Sequence, residues 1–104
     1  MPIEIFEIDT LPGYVAYLKK RTLMLLCREE IDLLEANLNG YLMTKAAEME
    51  WFSGFNDFLF RTYPAEEGNR GWRSFLLEMN HQDQKQALAD FFVQFEAYCA
   101  AHPR

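Results

Sequence analysis

The sequence lacks the features that mark secreted, zinc-binding or membrane-spanning chains. Only two of its 104 residues are cysteine, and their spacing fits no zinc-binding pattern. No uninterrupted apolar run exceeds the five residues of Leu23–Cys27, which is far shorter than the roughly 20 residues that a membrane-spanning helix needs. The first residues also lack the basic region of an export signal, so we expect a cytoplasmic protein with no membrane segment.

Catalytic and cofactor motifs are also missing from the sequence. Neither His81 nor His102 has a serine, cysteine or carboxylate at a spacing typical of a catalytic triad or a metal site. The glycines form no phosphate-binding loop. Glu48 and Glu50 are two positions apart, so they project from different sides of a helix and are expected to be solvated. We therefore predict that the chain is not an enzyme and holds no metal or cofactor.

Acidic and aromatic residues, in contrast, are abundant. Asp and Glu number 16 against 10 Lys and Arg, which gives a net charge of −6, and sixteen residues are Phe, Tyr or Trp. The length fits a single domain over residues 1–104 with one hydrophobic core. Most apolar residues recur at the three- and four-residue spacing of helices. The sequence therefore predicts an all-α bundle of about four helices. The alternation of Ile3, Glu4 and Ile5 is also compatible with a short extended segment at the N-terminus.

The helix boundaries follow from capping and breaking residues. We predict a first helix over Tyr14–Asn39, with Thr10 as N-cap and Gly40 as the stop. Its apolar face rotates near the middle, where a kink and a helix buried on most sides are the alternatives; we favour the continuous helix. The other predicted helices are one over about Tyr41–Tyr63 with a bend or break open at Ser53-Gly54, a short one containing Trp72 and Met79, and one over about Gln82–Ala101.

The sharpest charge pattern lies in the second half of the first predicted helix. Glu29, Asp32 and Glu35 are spaced three apart, so on a helix they form one slanting row, which we call the acidic ridge. Such a row is either an ordinary solvated face or a docking surface for a basic protein. A docking surface would accelerate association by long-range attraction.

A second acidic feature is the loop that follows the second predicted helix. Glu66 and Glu67 lie in this loop, and Tyr63 and Trp72 bracket it. Aromatic side chains are favoured interface residues because they bury much area with few rotatable bonds. These four residues and the acidic ridge are the predicted partner-binding residues.

The basic cluster Lys19-Lys20-Arg21 does not point to nucleic-acid binding. Three adjacent residues fan out around a helix, and the net negative charge repels phosphate. We therefore predict no direct contact with nucleic acid.

In size, charge and helical texture the chain resembles the small acidic helical immunity proteins of bacterial toxin systems, including contact-dependent growth inhibition. This resemblance carries no diagnostic motif. It implies a protein that binds and neutralises a basic toxin domain, commonly a nuclease, and that is itself a monomer or weak homodimer. The alternative is a homo-oligomeric structural or adaptor domain, favoured by more aromatic residues in Trp51–Tyr63 than four helices can cover.

Overall fold

The computed structural model describes residues 7–62 and 71–103, and all regular structure in these two stretches is helical. The described residues form seven helices: α1 (Leu11–Lys20), α2 (Thr22–Leu26), α3 (Ile31–Leu42), α4 (Ala46–Phe52), α5 (Phe55–Thr62), α6 (Trp72–Met79) and α7 (Gln84–Ala101). The all-α class is therefore confirmed. The count of about four is wrong, because the first two predicted helices are divided. Residues 1–6, which include the predicted extended segment, lie outside the described residues.

The first predicted helix is divided into α1, α2 and α3. Arg21 leaves helical backbone angles after α1, and Cys27 ends α2 with a φ of 68°. Leu18 of α1 and Leu34 of α3 are both fully buried. Because the apolar stripes of the two halves are rotated relative to each other, a straight helix could not bury both. The bend leaves Met24 exposed, although the continuous helix placed it on an apolar face.

Helix α3 passes through Gly40, where we expected a stop, and ends at Leu42. Leu42 is buried, and the ring of Tyr41 stacks on that of Tyr14 with the centroids 4.1 Å apart. This burial offsets the roughly 1 kcal/mol that glycine costs against alanine inside a helix. Packing against α1 therefore overrides the local stop signal.

Helix α1 begins where predicted, and two of the backbone N–H groups in its first turn donate hydrogen bonds to side chains. The Thr10 hydroxyl accepts a hydrogen bond from the Gly13 N–H at 3.4 Å. The Leu11 N–H donates to Glu48 Oε2 of α4 at 3.1 Å, and Glu48 is only 5% exposed. The expectation that Glu48 is solvated is therefore wrong, since its carboxylate lies at a helix N-terminus, where negative charge is stabilised.

The central element is α7, which packs against α1, α3, α5 and α6. It begins after Asp83, whose Oδ1 accepts a hydrogen bond from the Gln86 N–H at 2.9 Å. The ring of Phe55 in α5 lies 5.6 Å from that of Phe91 in α7. The apolar stripe of α7 comprises Leu88, Phe91, Phe92, Phe95 and Tyr98, which are all buried.

Candidate protein-binding surface

The carboxylates of the acidic ridge come from two parts of the chain. Glu29 lies in the segment between α2 and α3, whereas Asp32 falls in the first turn of α3 and Glu35 follows one turn later. The ridge is therefore not one helical row, because the helix begins only at Ile31. Asp32 and Glu35 nevertheless share a side of α3, since both reach the same guanidinium group.

That guanidinium belongs to Arg73 of α6. Its Nη1 donates to Asp32 Oδ1 at 2.8 Å, and its Nε lies 3.3 Å from Glu35 Oε1. Gln84, the first residue of α7, donates from Nε2 to Asp32 Oδ2 at 2.9 Å and accepts the Asp32 N–H at 3.1 Å. These contacts connect the N-terminal end of α3 to both α6 and α7.

The other carboxylates of this surface also have cationic partners. Lys85 Nζ lies 3.1 Å from Glu29 Oε2, and Arg28 Nε lies 3.4 Å from Glu30 Oε2. Four carboxylates thus face three cations, which leaves an excess of one negative charge. The acidic ridge is an ion-paired surface of nearly balanced charge, so by itself it supplies little long-range attraction.

These ion pairs lie at the protein surface. The Asp32 side chain is 51% exposed, and those of Glu29 and Glu35 are also solvent-accessible. Exposed ion pairs stabilise a fold by only about 0–1 kcal/mol. The surface can therefore exchange its internal cations for the Arg or Lys side chains of another protein at small cost to its own stability.

Sequence reasoning missed Arg73, Gln84 and Lys85. Arg73 is 41 positions from Asp32, and Gln84 is 52 positions from it. Helical spacing reports only on neighbours three or four positions apart. No local signal distinguishes these residues from ordinary solvated ones, and only the packing of α6 and α7 against α3 brings them to the ridge.

Trp72, a predicted contact residue, belongs to the hydrophobic core. Its side chain is 7% exposed, and its ring centroid lies 4.9 Å from that of Phe91 and 5.9 Å from that of Phe52. Because the ring is already covered by this chain, the expectation that it supplies contact area to a partner is corrected. The predicted contact residues Tyr63, Glu66 and Glu67 lie outside the described residues.

The aromatic residues of α4 and α5 are also covered by the chain. Phe52 and Phe55 are buried, and Trp51, Phe58 and Phe60 pack against the core in half-buried positions. The division of the chain into more helices than expected provides the faces that cover these rings. The described part of this segment therefore lacks the exposed aromatic excess that favoured a homo-oligomeric domain.

Groups capable of catalysis are scattered in the structure. Among residues 7–62 and 71–103, no three His, Cys, Asp or Glu side chains lie close enough to hold a metal ion. His81 is exposed in the turn after α6, and His102 packs on the ring of Tyr98. Both cysteines are free thiols, with Cys27 exposed. Burial, together with the nearby charge of Glu96, raises the pKa of the Cys99 thiol, which makes it a poor nucleophile near neutral pH.

Comparisons of the chain with protein-family models, with curated proteins and with solved structures find no match. In the described part of the chain, no helix is both long and apolar enough to cross a lipid bilayer. The geometry itself defines the class: an all-α domain whose α3, α6 and α7 are joined by a solvent-accessible network of ion pairs and hydrogen bonds.

Proposed function

We propose that this chain is a non-catalytic binding protein of the immunity type, which binds and neutralises a basic toxin domain in the cytoplasm. The observation that supports it is the half-exposed Asp32 carboxylate and its neighbours on a chain of net charge −6. A nuclease domain that holds phosphate carries Arg and Lys on its surface, and these side chains form charge-assisted hydrogen bonds with carboxylates. A nuclease is therefore the proposed partner, as in contact-dependent growth inhibition.

Binding at the ridge requires an exchange of ion pairs. A guanidinium of the partner takes the place of Arg73 at Asp32, and a second cation takes the place of Lys85 at Glu29. Arg73 and Lys85 then repel the incoming cations until they turn toward solvent. Long-range attraction comes mainly from the net charge of the whole chain, so the association rate should fall steeply as salt is added.

The partner is identified by co-purification from the native cell. The expected result is a protein with a basic domain whose activity stops when one equivalent of this chain is added. Recovery of an acidic partner, or a basic partner whose activity is unchanged, contradicts the proposal. Turnover of a substrate by the isolated chain contradicts its non-catalytic part.

The ridge itself is tested by stopped-flow association with the recovered domain at low salt. Replacing Glu29, Asp32 and Glu35 together by Lys should slow association about tenfold, and more than it speeds dissociation. The matched variant Arg73→Gln with Lys85→Gln removes the competing cations and should accelerate association. Circular dichroism checks that both variants fold. If neither variant changes the association rate, the ridge is not the binding surface.

A further inference from the structure

The α2 helix presents an apolar surface that no described part of this chain covers. Leu23 and Met24 are each 63% exposed, whereas Leu26 of the same helix is buried and anchors it to the core. Single exposed apolar residues are ordinary, but two adjacent large ones on a five-residue helix form a continuous patch. We call Leu23, Met24 and the preceding Lys20 and Arg21 the α2 patch.

The charge around this patch has the opposite sign to that of the whole chain. An open groove of about 370 Å³ runs along the patch and is lined by Lys19, Lys20 and Arg21, with Glu29 as its one carboxylate. Glu29 is already paired with Lys85 at 3.1 Å. The Arg21 guanidinium forms no ion pair or side-chain hydrogen bond with residues 7–62 or 71–103. Lys19 is also paired, with Glu96 at 2.7 Å, but the described lining of the groove holds three cations against one carboxylate, so it is locally positive on a protein of net charge −6.

We propose that the α2 patch binds an acidic segment of a protein partner that also carries apolar side chains. The apolar side chains cover Leu23 and Met24, and the unbranched thioether of Met24 adapts to different shapes. The carboxylates pair with Arg21, whose guanidinium can hold a carboxylate by two parallel hydrogen bonds. This surface adjoins the acidic ridge at Glu29, which lines the groove, but the proposal does not depend on the proposed toxin partner.

Charge screening favours a short segment over an anionic membrane. The Debye length at physiological salt is about 8 Å, so a bound peptide experiences mainly the cations within that distance. A flat lipid surface also faces the acidic remainder of the chain, whose net charge of −6 opposes binding. Two apolar side chains also offer little area for insertion between lipids.

The probe is a fluorescein-labelled peptide in which Asp and Glu alternate with Leu and Phe, measured by fluorescence anisotropy. Two comparison peptides carry Lys in place of the acids or Ser in place of the apolar residues. We expect saturable binding of the first peptide and at least about tenfold weaker binding of both comparison peptides. Failure of the first peptide to bind overturns the proposal.

Three variants locate the site. Leu23→Asp with Met24→Asp, and separately Arg21→Glu, should each weaken binding of the acidic peptide about tenfold. The control is Met43→Asp, because Met43 is 80% exposed and lies at the end of α3, outside the patch; it should bind as the parent does. Equal binding by all variants overturns the assignment of the peptide site to the α2 patch. If the double variant fails to fold, the result with Arg21→Glu decides the test by itself. Binding to phosphatidylserine vesicles that the patch variants abolish, without peptide binding, overturns it in favour of a lipid surface.

Discussion

His81 occupies a left-handed backbone conformation at the end of α6, with a φ of 56°. Its N–H donates to the Glu78 carbonyl at 3.2 Å, and the Gln82 N–H donates to the Leu77 carbonyl at 2.7 Å. These two hydrogen bonds are those of a Schellman motif, in which the left-handed position is usually glycine. His81 therefore belongs to the turn that ends α6, and α7 begins only at Gln84.

We expect His81→Gly to stabilise the fold by about 1 kcal/mol, because glycine adopts this conformation without the strain of a Cβ. Urea denaturation measures the change. The control is Ala97→Gly, at an exposed position inside α7, which should destabilise by a similar amount. If His81→Gly destabilises the protein as much as the control does, the left-handed turn is not the conformation in solution.

At the scale of helices, α7 contacts the boundary between α4 and α5. The Tyr98 hydroxyl of α7 donates to the Trp51 carbonyl at 2.5 Å. A Cβ built on Gly54 would lie 2.6 Å from the same hydroxyl oxygen, so only glycine leaves room for it. Burial, followed by the charges of Cys99 and Asp57, raises the pKa of Tyr98, and the hydroxyl therefore remains a donor through neutral pH.

Gly54→Ala should consequently destabilise the protein by about 1–3 kcal/mol through overpacking. In a Tyr98→Phe background the next atoms lie 3.6 Å or more from the added Cβ, an ordinary contact distance, so the cost should shrink. A double-mutant cycle by urea denaturation should give a coupling of at least about 0.5 kcal/mol. Additive effects of the two substitutions would show that the hydroxyl does not set this break.

At the scale of the whole molecule, the described aromatic residues of α4 to α7 pack in or against the hydrophobic core. The rings of α4, α5, α6 and α7 form one connected cluster around Phe55, which is fully buried. A homo-oligomeric domain would need part of this aromatic surface to meet another copy. The large apolar residues exposed in the described structure are instead aliphatic or methionine: Ile8, Leu23, Met24, Met43, Met49, Met79 and Val93.

Sedimentation velocity over a range of micromolar concentrations should therefore give one species with the mass of a single chain. Val93→Glu should leave this result unchanged, because the side chain is already exposed to solvent in the monomer. A stable dimer that Val93→Glu or a substitution at Trp51 disrupts would contradict this and favour the homo-oligomeric adaptor.

Part of this structure could be predicted from the sequence because it depends on interactions between residues no more than about four positions apart. The all-α class, the N-caps Thr10 and Asp83 and the buried stripe of α7 all follow from helical spacing and capping, which are local. The same local rules predicted a helix over Tyr14–Asn39 that the fold divides.

The remaining features depend on which distant helices pack together. The Tyr98 hydroxyl fits beside Gly54 only because position 54 lacks a Cβ, and Trp72 is buried because α6 lies against α7. Asp32 and Arg73 pair across 41 positions of sequence, which turned a predicted acidic surface into a nearly neutral one. Helical periodicity shows which face of a helix is apolar but not which other helix packs against that face. Tertiary packing alone therefore decided these contacts and the net charge that the acidic ridge presents to solvent.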